Sequence, residues 1–471
     1  MSQCLLPYRV EVVKDADEMT ARAGLVLVVE AIRALGLPRS IQREVRLQKR
    51  RGKFTDAAKI EDLMLLLASG GDCLDDIKVL QADGGFCRLL GRAVSSAETL
   101  RQHLNKYHDD RLIEEAMQRR PEGQKAYVPE ETAALAGLGR VNVDLVRRVA
   151  AQSRCTTATL DHDATIQESH KQQALPHYKG GRGYQPSAIY WMEQDLAVAD
   201  EYRDGNVPAG MNNLPLIRRG FAALPETVTA RYFRADSACY DDAVLKWLSD
   251  EGRENGPRGA IGFTVSADMT EALRAVCAAL PEEQWKQVED RAEETVVCAD
   301  VEFAPGDWPK EARPLRYVAV RIRKKQGLLF GGGYDTKYLA VVSNRRELPA
   351  VELLRWHWKK AGTIELLHDV TKNELGAAVP PSKRFGANAA WYRLSLMTYN
   401  LLSAMKTLAL PGYLSEARPK RLRYTVFTLA GRLVSHAGCL VLRIAEASER
   451  LAGLIAARTK LALVARALAS A

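Results

Sequence analysis

Three short stretches decide the fold: TTATLDHD at residues 156–163, SAIYWMEQD at 187–195 and TVTARYFRAD at 227–236. Each is an apolar run, rich in β-branched and aromatic residues, that ends in an acid, and this composition is typical of buried strands. The segments 213–224 and 241–251 lie on either side of the third stretch and have helical periodicity. Strands interleaved with helices predict an α/β layer with a central sheet.

Two acids follow these strands in distinctive settings, Asp163 after the first and Asp236 after the third. A carboxylate at the carboxyl end of a strand points into the crevice where α/β proteins bind ligands. Asp161 and Asp163 are two residues apart and face the same side of the strand. Such clustered like charges are costly unless a cation neutralises them, but strand-end acids also cap helices and form turns. The acids alone leave both roles open.

A third element carries an acid and a base on one helix face. The segment 348–375 has strong helical periodicity, and Glu365 and Lys372 within it are seven residues apart, so they share a face two turns apart. Ile364, Leu367 and Thr371 form a neighbouring stripe that can pack on a core. The pair suits a phosphate-and-metal site, while an ordinary surface ion pair between Asp369 and Lys372 explains the lysine equally well.

The rest of the chain divides by composition. Residues 1–150 are mostly helical, with helices expected at 20–35, 59–69, 97–106 and 110–119, and 151–255 form the first part of the α/β domain. Residues 256–345 are β-rich, 346–410 form the helical end that carries Glu365, and 411–471 are a basic C-terminal region. A β-rich segment between an α/β half and a helical half predicts an insertion within one domain.

The basic charge lies near the two ends of the chain. The sequence has 67 Lys and Arg against 58 Asp and Glu, but residues 406–471 alone carry a net +8 and residues 35–53 a net +6. This pattern favours either a long polyanion held at both ends or solvated, arginine-rich helices. The N-terminal helices could likewise form a helix-turn-helix DNA reader or pack generically.

Cysteine spacing and hydropathy exclude other classes. Eight cysteines occur with no C-x-x-C pair, which argues against zinc knuckles and fits reduced thiols in the cytoplasm. No signal peptide is evident at the N-terminus. Arg432, His436 and Arg443 interrupt the apolar stretch 424–445, so no membrane span is expected.

In the order strand-Asp, strand-Asp, β-insertion and helix-Glu, the chain resembles a DDE transposase with an RNase H-like fold. Asp163-Ala164-Thr165 resembles the Asp-x-Thr motif, and Arg234-Ala235-Asp236-Ser237 resembles Arg-x-Asp-Ser. Glu365 and Lys372 are in register with the Tyr-x2-Arg-x3-Glu-x6-Lys signature of cut-and-paste insertion-sequence transposases, although Trp358 and Ala361 stand at its Tyr and Arg positions. The segments 388–394 and 398–402 resemble the following helix, and the resemblance, to the insertion-sequence family numbered thirteen-eighty, runs from about 97 to about 446.

The resemblance implies an RNase H-like catalytic domain interrupted by a β-rich insertion, with helical N- and C-terminal regions. It implies that Asp163, Asp236 and Glu365 hold two magnesium ions, for which manganese can substitute, and that Lys372 holds a phosphate. The implied activity is excision and strand transfer of an insertion sequence, through a DNA hairpin whose flipped base stacks on an aromatic ring. The expected partners are double-stranded DNA with terminal inverted repeats, target DNA and a second copy of the chain.

The residues expected to contact DNA lie in the first basic segment and beside the Glu helix: Arg43, Arg46, Lys49, Arg50, Arg51, Trp358, Lys359 and Lys360. The aromatic candidates for the flipped base are Phe330, Tyr334, Trp356 and Trp358. Asp161 competes with Asp163 as the first ligand, and the Thr two residues after Asp163 favours the latter. His162 is expected on the opposite face of the strand, as a packing residue.

Three other classes remain as alternatives. The first is a catalytically inactive DNA-binding protein derived from a transposase, against which the three intact acids argue. The second is a junction resolvase, although such chains are much shorter and lack an insertion before the last acid. The third is a carbohydrate hydrolase with a carboxylate pair, which would not explain the basic segments at both ends.

Overall fold

The structure is a computed structural model that describes residues 18–48, 52–306, 308, 314–324, 336–444 and 448–470, with side chains of the last segment from 452 onward. Its helices are α1 (Val26–Ala34), α2 (Leu37–Glu44), α3 (Asp56–Ser69), α4 (Ile77–Gln81), α5 (Gly84–Leu90), α6 (Ala97–Asn105), α7 (Asp110–Arg119), α8 (Ala133–Ala150), α9 (Asn213–Ala223), α10 (Asp242–Ser249), α11 (Glu271–Ala278), α12 (Ala350–Trp358), α13 (Ile364–Glu374), α14 (Phe385–Leu408), α15 (Pro419–Leu422) and α16 (Ser448–Ser470).

The strands are β1 (Met19–Thr20), β2 (Thr157–Ala164), β3 (Gln167–Glu168), β4 (Leu175–Pro176), β5 (Arg182–Tyr184), β6 (Ser187–Trp191), β7 (Leu196–Glu201), β8 (Ala230–Ala235), β9 (Gly262–Ala267), β10 (Lys286–Asp290), β11 (Glu294–Val301), β12 (Arg316–Lys324), β13 (Thr336–Ser343), β14 (Gly431–His436) and β15 (Cys439–Ile444).

One mixed sheet organises the described part of the chain, in the strand order β10-β11-β12-β13-β9-β8-β2-β6-β7. β2, β8 and β9 are parallel neighbours, and the other pairs are antiparallel. β9 falls in the segment expected to be inserted, but it pairs in parallel with β8 at the centre of the sheet. The strands β10 to β13 extend that same sheet through β9.

Helices cover the sheet and position its strand ends. α9 packs on β2, β6 and β7, α13 packs on β2 and β6, and α12 packs on β9, β10 and β11. α14 is buried on nearly every side against α3, α8 and β7, so apolar residues occur all around it, and polar side chains such as Arg393 and Asn400 are buried among them. A smaller apolar cluster that includes Val296, Val320 and Leu353 lies between the extended sheet and α12.

The N-terminal helices begin where their sequences provide caps. The side chains of Thr55, Ser96 and Asp109 accept hydrogen bonds from the first-turn backbone of α3, α6 and α7. The expected single helix over 348–375 is instead broken at residues 359–362, a short 3-10 turn that ends in Gly362 and separates α12 from α13. Gly362 is a poor helix former, and the break is what brings Lys360 to the sheet.

The two basic ends of the chain meet rather than lie apart. α16 packs on α1, and β1 pairs with β14 of the C-terminal hairpin β14–β15. That hairpin, which the sequence pattern did not indicate, turns at Ala437 and Gly438, both with positive φ, as a two-residue hairpin turn requires. The neighbours of the two basic segments therefore pack together, and a long polyanion held by both segments stays a prediction.

Seven cysteines lie in the described segments, and all of them are free thiols. Within those segments no helix combines the length and the apolar character needed to cross a membrane.

Candidate active site

The parallel pairing of β2 with β8 brings two acids together. Asp161 lies opposite Arg234, and His162 lies opposite Ala235. Two residues beyond the Asp161–Arg234 pair, the same register places Asp163 beside Asp236. Because side chains alternate along a strand, both lie on the face that carries Asp161 and Arg234. The sheet therefore gathers two acids that are distant in sequence.

Asp163 and Asp236 form a carboxyl pair that shares a hydrogen bond. Burial raises the pKa of both carboxyls, and the charge of Asp163 raises the pKa of Asp236 further. Asp236 also accepts a hydrogen bond of 3.1 Å from the backbone N–H of Ala238, which fixes its side chain. Two half-buried carboxyls this close are stable only with a shared proton or a cation between them.

In the described structure Lys360 supplies that positive charge. Its Nζ lies 3.7 Å from Oδ1 of Asp163, and its side chain is only 11% exposed. The ammonium lowers the pKa of Asp163 and of Asp236, against the effect of burial. Lys360, grouped with the DNA contacts by the sequence analysis, is thus part of the carboxyl site.

Asp161 has a different set of partners. Its two oxygens accept hydrogen bonds of 2.7 and 2.8 Å from Nε and Nη2 of Arg234, and both side chains are fully buried. Thr363 Oγ1, at the start of α13, donates to the same carboxylate. Asp161 therefore ties together β2, β8 and the Glu helix, and its oxygens are already bonded, whereas those of Asp163 face the site.

His162 points to the other side of the sheet. Its Nε2 lies 2.8 Å from Ser187 Oγ and its Nδ1 lies 3.2 Å from Cys239 Sγ. Burial lowers its pKa well below the usual value, so the ring is neutral. The side chain packs within the core, as its alternation with the two acids requires.

Glu365 lies apart from the carboxyl pair. It is exposed in the first turn of α13, and it has no hydrogen bond or ion pair with any described residue. In the part of the chain that the structure describes, no three His, Cys, Asp or Glu side chains are grouped so that they could hold a metal ion. Glu365 nevertheless shares a helix face with His368 and Lys372, both of which reach β2 or the residues that follow it.

Lys372 reaches the segment that follows Asp163. Its Nζ donates to the carbonyl of Ile166 at 2.8 Å and lies 3.5 Å from Thr165 Oγ1, the Thr of the Asp-x-Thr motif. Burial is the main cause that lowers its pKa. Asp369 pairs instead with Arg418, so the surface ion pair considered for Lys372 does not form within the described segments.

His368 is a site residue that the sequence analysis missed. Its Nε2 lies 3.9 Å from Oδ2 of Asp163, and neither ring nitrogen is hydrogen-bonded to a described residue. Burial lowers its pKa to about 3, so the ring is neutral and has an acceptor nitrogen free. Its position, three residues after Glu365 and four before Lys372, was the available signal.

The expected DNA contacts divide into three groups. Arg43 is held by Glu44 and Asp144, so its charge is compensated. Arg46 and Lys359 are exposed and have no bonded partner among the described residues. Lys49, Arg50 and Arg51 lie outside the described residues.

The two tryptophans near the Glu helix have different surroundings. The guanidinium groups of Arg234 and Arg345 both lie over the ring of Trp356, 5.2 and 4.5 Å from its centre, so this ring is already engaged by cations. Trp358 lines a cavity of about 330 Å³ between α12 and the strands β11 to β13, which also contains Ser237, the residue after Asp236. Phe330 and Tyr334 lie outside the described residues.

A mixed sheet whose adjacent parallel strands end in paired carboxyls, faced by a helix with an acid and a lysine, is the arrangement expected of DDE enzymes. The chain belongs to the transposase DDE domain group 1 family, whose sequence profile matches residues 4–464. A comparison with curated proteins finds no match. Among solved structures it is similar to the piggyBac transposase in a cryo-EM structure of its synaptic complex with hairpin DNA, at 12% identity and a TM-score of 0.37, with 85% of this chain and 76% of that chain covered.

Proposed function

We propose that this protein is a DNA transposase that excises an insertion sequence and joins it to target DNA at the Asp163–Asp236 site. The observation that carries the proposal is the carboxyl pair itself, held at the ends of adjacent parallel strands and neutralised by Lys360. The strand order around it, β9-β8-β2-β6-β7, with three parallel strands and an antiparallel hairpin, supports an RNase H-like core in which β10 to β13 are the insertion.

The residues present suit a hard divalent cation such as magnesium. Asp163 and Asp236 offer carboxylate oxygens, which are the donors that Mg²⁺ prefers, and burial raises the pKa of both carboxyls, an effect that a bound cation would oppose. We assign these two residues as ligands, with Glu365 of α13 as the third. A bound cation supplies charge neutralisation at the phosphodiester and activates the attacking oxygen.

The chain's own side chains supply the remaining functions. Asp161, through Arg234 and Thr363, keeps the three acid-bearing elements in fixed relation. Lys372, beside Thr165, provides a positive point charge for a phosphate oxygen. The neutral ring of His368, with its Nε2 3.9 Å from Oδ2 of Asp163, adds a nitrogen acceptor beside the pair.

The cavity beside Trp358 supports hairpin formation, the finer part of the proposal. Val320, Leu339 and Val341 line it, and Arg291, which pairs with Glu289 and Glu294, lies at its wall. An aromatic and aliphatic pocket next to the carboxyls can receive a base flipped from a sharply bent DNA end. Trp358→Ala should slow hairpin formation more than first-strand nicking.

Labelled DNA that carries the inverted repeats flanking the coding gene tests the proposal. The purified chain with Mg²⁺ should nick at the repeat ends and transfer the new 3′ ends to a plasmid, and Asp236→Asn should do neither. A wild-type protein that binds these ends and never cleaves them would instead favour the inactive, transposase-derived DNA-binding protein. If the complex that cleaves DNA contains two copies of the chain, this result would support the expected homodimer.

A further inference from the structure

A separate, polar cavity lies at the amino ends of the central strands, opposite the end of the sheet that carries the carboxyl pair. It measures about 530 Å³ and is bordered by the amino ends of β8 and β9, the loop after α10 and the turn after β13. Arg231, at its wall, lies on β8 five residues before Asp236, which places them roughly 16 Å apart at ~3.3 Å per residue. The cations and acids that line it are Arg231, Arg258, Arg345, Arg346, Glu251 and Glu347.

Arg345 is held rigidly in this cavity. Its guanidinium lies 4.6 Å from the ring of Tyr232 and 4.5 Å from the ring of Trp356, and its Nε donates to Glu347 at 2.7 Å. A Cβ at Gly262 would come within 2.8 Å of the Tyr232 ring, so this glycine makes room for the stack. Neither Nη group of Arg345 is hydrogen-bonded to a described residue, which leaves both free to bind an anion.

A buried arginine fixes the loop that carries Arg258. Arg253, 3% exposed, donates to the carbonyls of Trp247, Leu248, Pro257 and Gly259 at 2.6 to 3.0 Å. The hydrogen bonds to Pro257 and Gly259 hold the backbone on both sides of Arg258 in place. Burial lowers the pKa of Arg253, as expected for a cation that carbonyls alone satisfy.

Several donors in the cavity have no partner. Arg231 and Arg258 form no hydrogen bond or ion pair with any residue that the structure describes. Ser249 lines the same space, and its buried Oγ has no hydrogen-bond partner in the described segments. Unpaired guanidinium and hydroxyl donors that converge on one cavity match the oxygens of a phosphate group.

We infer that this arginine cavity binds backbone phosphates of DNA at a distance from the cleavage site, an inference that rests on the proposed function. A free nucleotide would also offer phosphates, but its base needs an aromatic face, and arginine guanidinium groups already lie over the rings of Tyr232 and Trp356, 4.5 to 5.2 Å from the ring centres. Arg258 and Arg346 are exposed at the rim, where a polymer can continue past the cavity. The site would extend the DNA footprint to the back edge of the sheet.

Binding of a random-sequence DNA duplex to the full chain, measured by fluorescence anisotropy at several salt concentrations without divalent cations, tests this inference. The double variant Arg231→Gln/Arg258→Gln should bind more weakly, and its salt slope should fall by about 1.8, at about 0.9 per lost phosphate contact. Arg274→Gln, at an exposed arginine of α11 without a described partner, is the matched control and should keep the wild-type slope.

An unchanged slope in the double variant, or an equal loss in Arg274→Gln, would overturn the inference. Stronger competition by ATP than by an equal concentration of duplex phosphate would assign the cavity to a nucleotide and would also overturn it. Because the assay requires no cleavage, a chain that binds DNA through these arginines but never cuts inverted repeats would disprove the proposed function alone.

Discussion

Arg234 holds Asp161 through two parallel hydrogen bonds, and no water-exposed surface remains on either side chain. Arg234 also donates to the backbone carbonyl of Trp356 at 2.7 Å, so the pair joins β2 and β8 to the end of α12. Removing one charge from a buried ion pair leaves the other uncompensated. Asp161 therefore stabilises the fold, whereas Asp163 and Asp236 belong to the candidate active site.

Asp161→Asn should therefore destabilise the protein by about 3–5 kcal/mol, because Arg234 would stay buried without a counter-charge. Urea unfolding measures the loss, and Asp163→Asn, two residues away on the same face, is the control that should not destabilise. An Asp161→Asn protein of normal stability that has lost cleavage would make Asp161 the metal ligand instead.

Asp163→Asn, Asp236→Asn and Glu365→Gln should each reduce cleavage to background while DNA binding is kept. Each removes a ligand charge with little change of shape. The first two should also raise the free energy of unfolding without metal, because they relieve the carboxyl pair, whereas exposed Glu365→Gln should change it by less than about 0.5 kcal/mol. Glu352→Gln, an exposed acid on α12, is the control, and retained cleavage in any of the three variants would remove that residue from the site.

Lys360→Ala should lower the Mg²⁺ concentration needed for half-maximal cleavage several-fold. The Lys360 ammonium lies beside the carboxylates to which Mg²⁺ would bind, so the two cations compete for them. Without the ammonium, Mg²⁺ would bind the carboxyl pair more tightly. Titrations of cleavage with Mg²⁺ at saturating DNA measure the change, with exposed Lys359→Ala as the matched control. A higher Mg²⁺ requirement in Lys360→Ala would show that the lysine supports the metal form.

Lys372→Ala should impair cleavage more than metal binding, and Lys372→Arg should restore part of the rate, since the charge survives in a different geometry. Asp369→Ala is the control, because Asp369 pairs with Arg418 and not with Lys372. Cleavage rates and Mn²⁺ affinity for the three variants separate the effects. Equal, minor losses of rate in Lys372→Ala and Asp369→Ala would dismiss the phosphate role.

His103 should make the fold sensitive to mild acid. Burial lowers its pKa from 6.5 to about 4, and its Nδ1 is 3.5 Å from Asp56. As the pH falls through 6.5 the unfolded chain gains a proton that the folded chain resists, so stability is lost between pH 6.5 and about 4, by at most about 3 kcal/mol. The pH dependence of the urea midpoint across this range should be weaker in His103→Gln than in the wild type and unchanged in exposed His436→Gln. Part of it should remain in His103→Gln, because burial also lowers the pKa of His162 and His368. A wild-type slope in His103→Gln would contradict the assignment.

The sequence by itself determined the local elements. β2, β6 and β8 overlap the apolar runs that indicated them, and α7 has the expected bounds, because strong periodicity and local signals such as the Asp109 cap do not depend on distant residues. The order of the acids and the family motifs were equally readable from the sequence. β7 and the hairpin β14–β15 were missed, the latter because Arg432, His436 and Arg443 interrupt its apolar pattern.

Only the tertiary structure decided what each charged side chain does. Asp161 and Asp163 are equivalent in strand alternation, and they differ because Arg234, 73 residues later, binds one of them. The break at Gly362 sends Lys360 to Asp163, which a continuous helix over 348–375 would not have done. The arginine cavity likewise arises from three segments that meet at one sheet edge. Charge interactions depend on distance in space, and that distance is set by strand register and packing rather than by spacing along the chain.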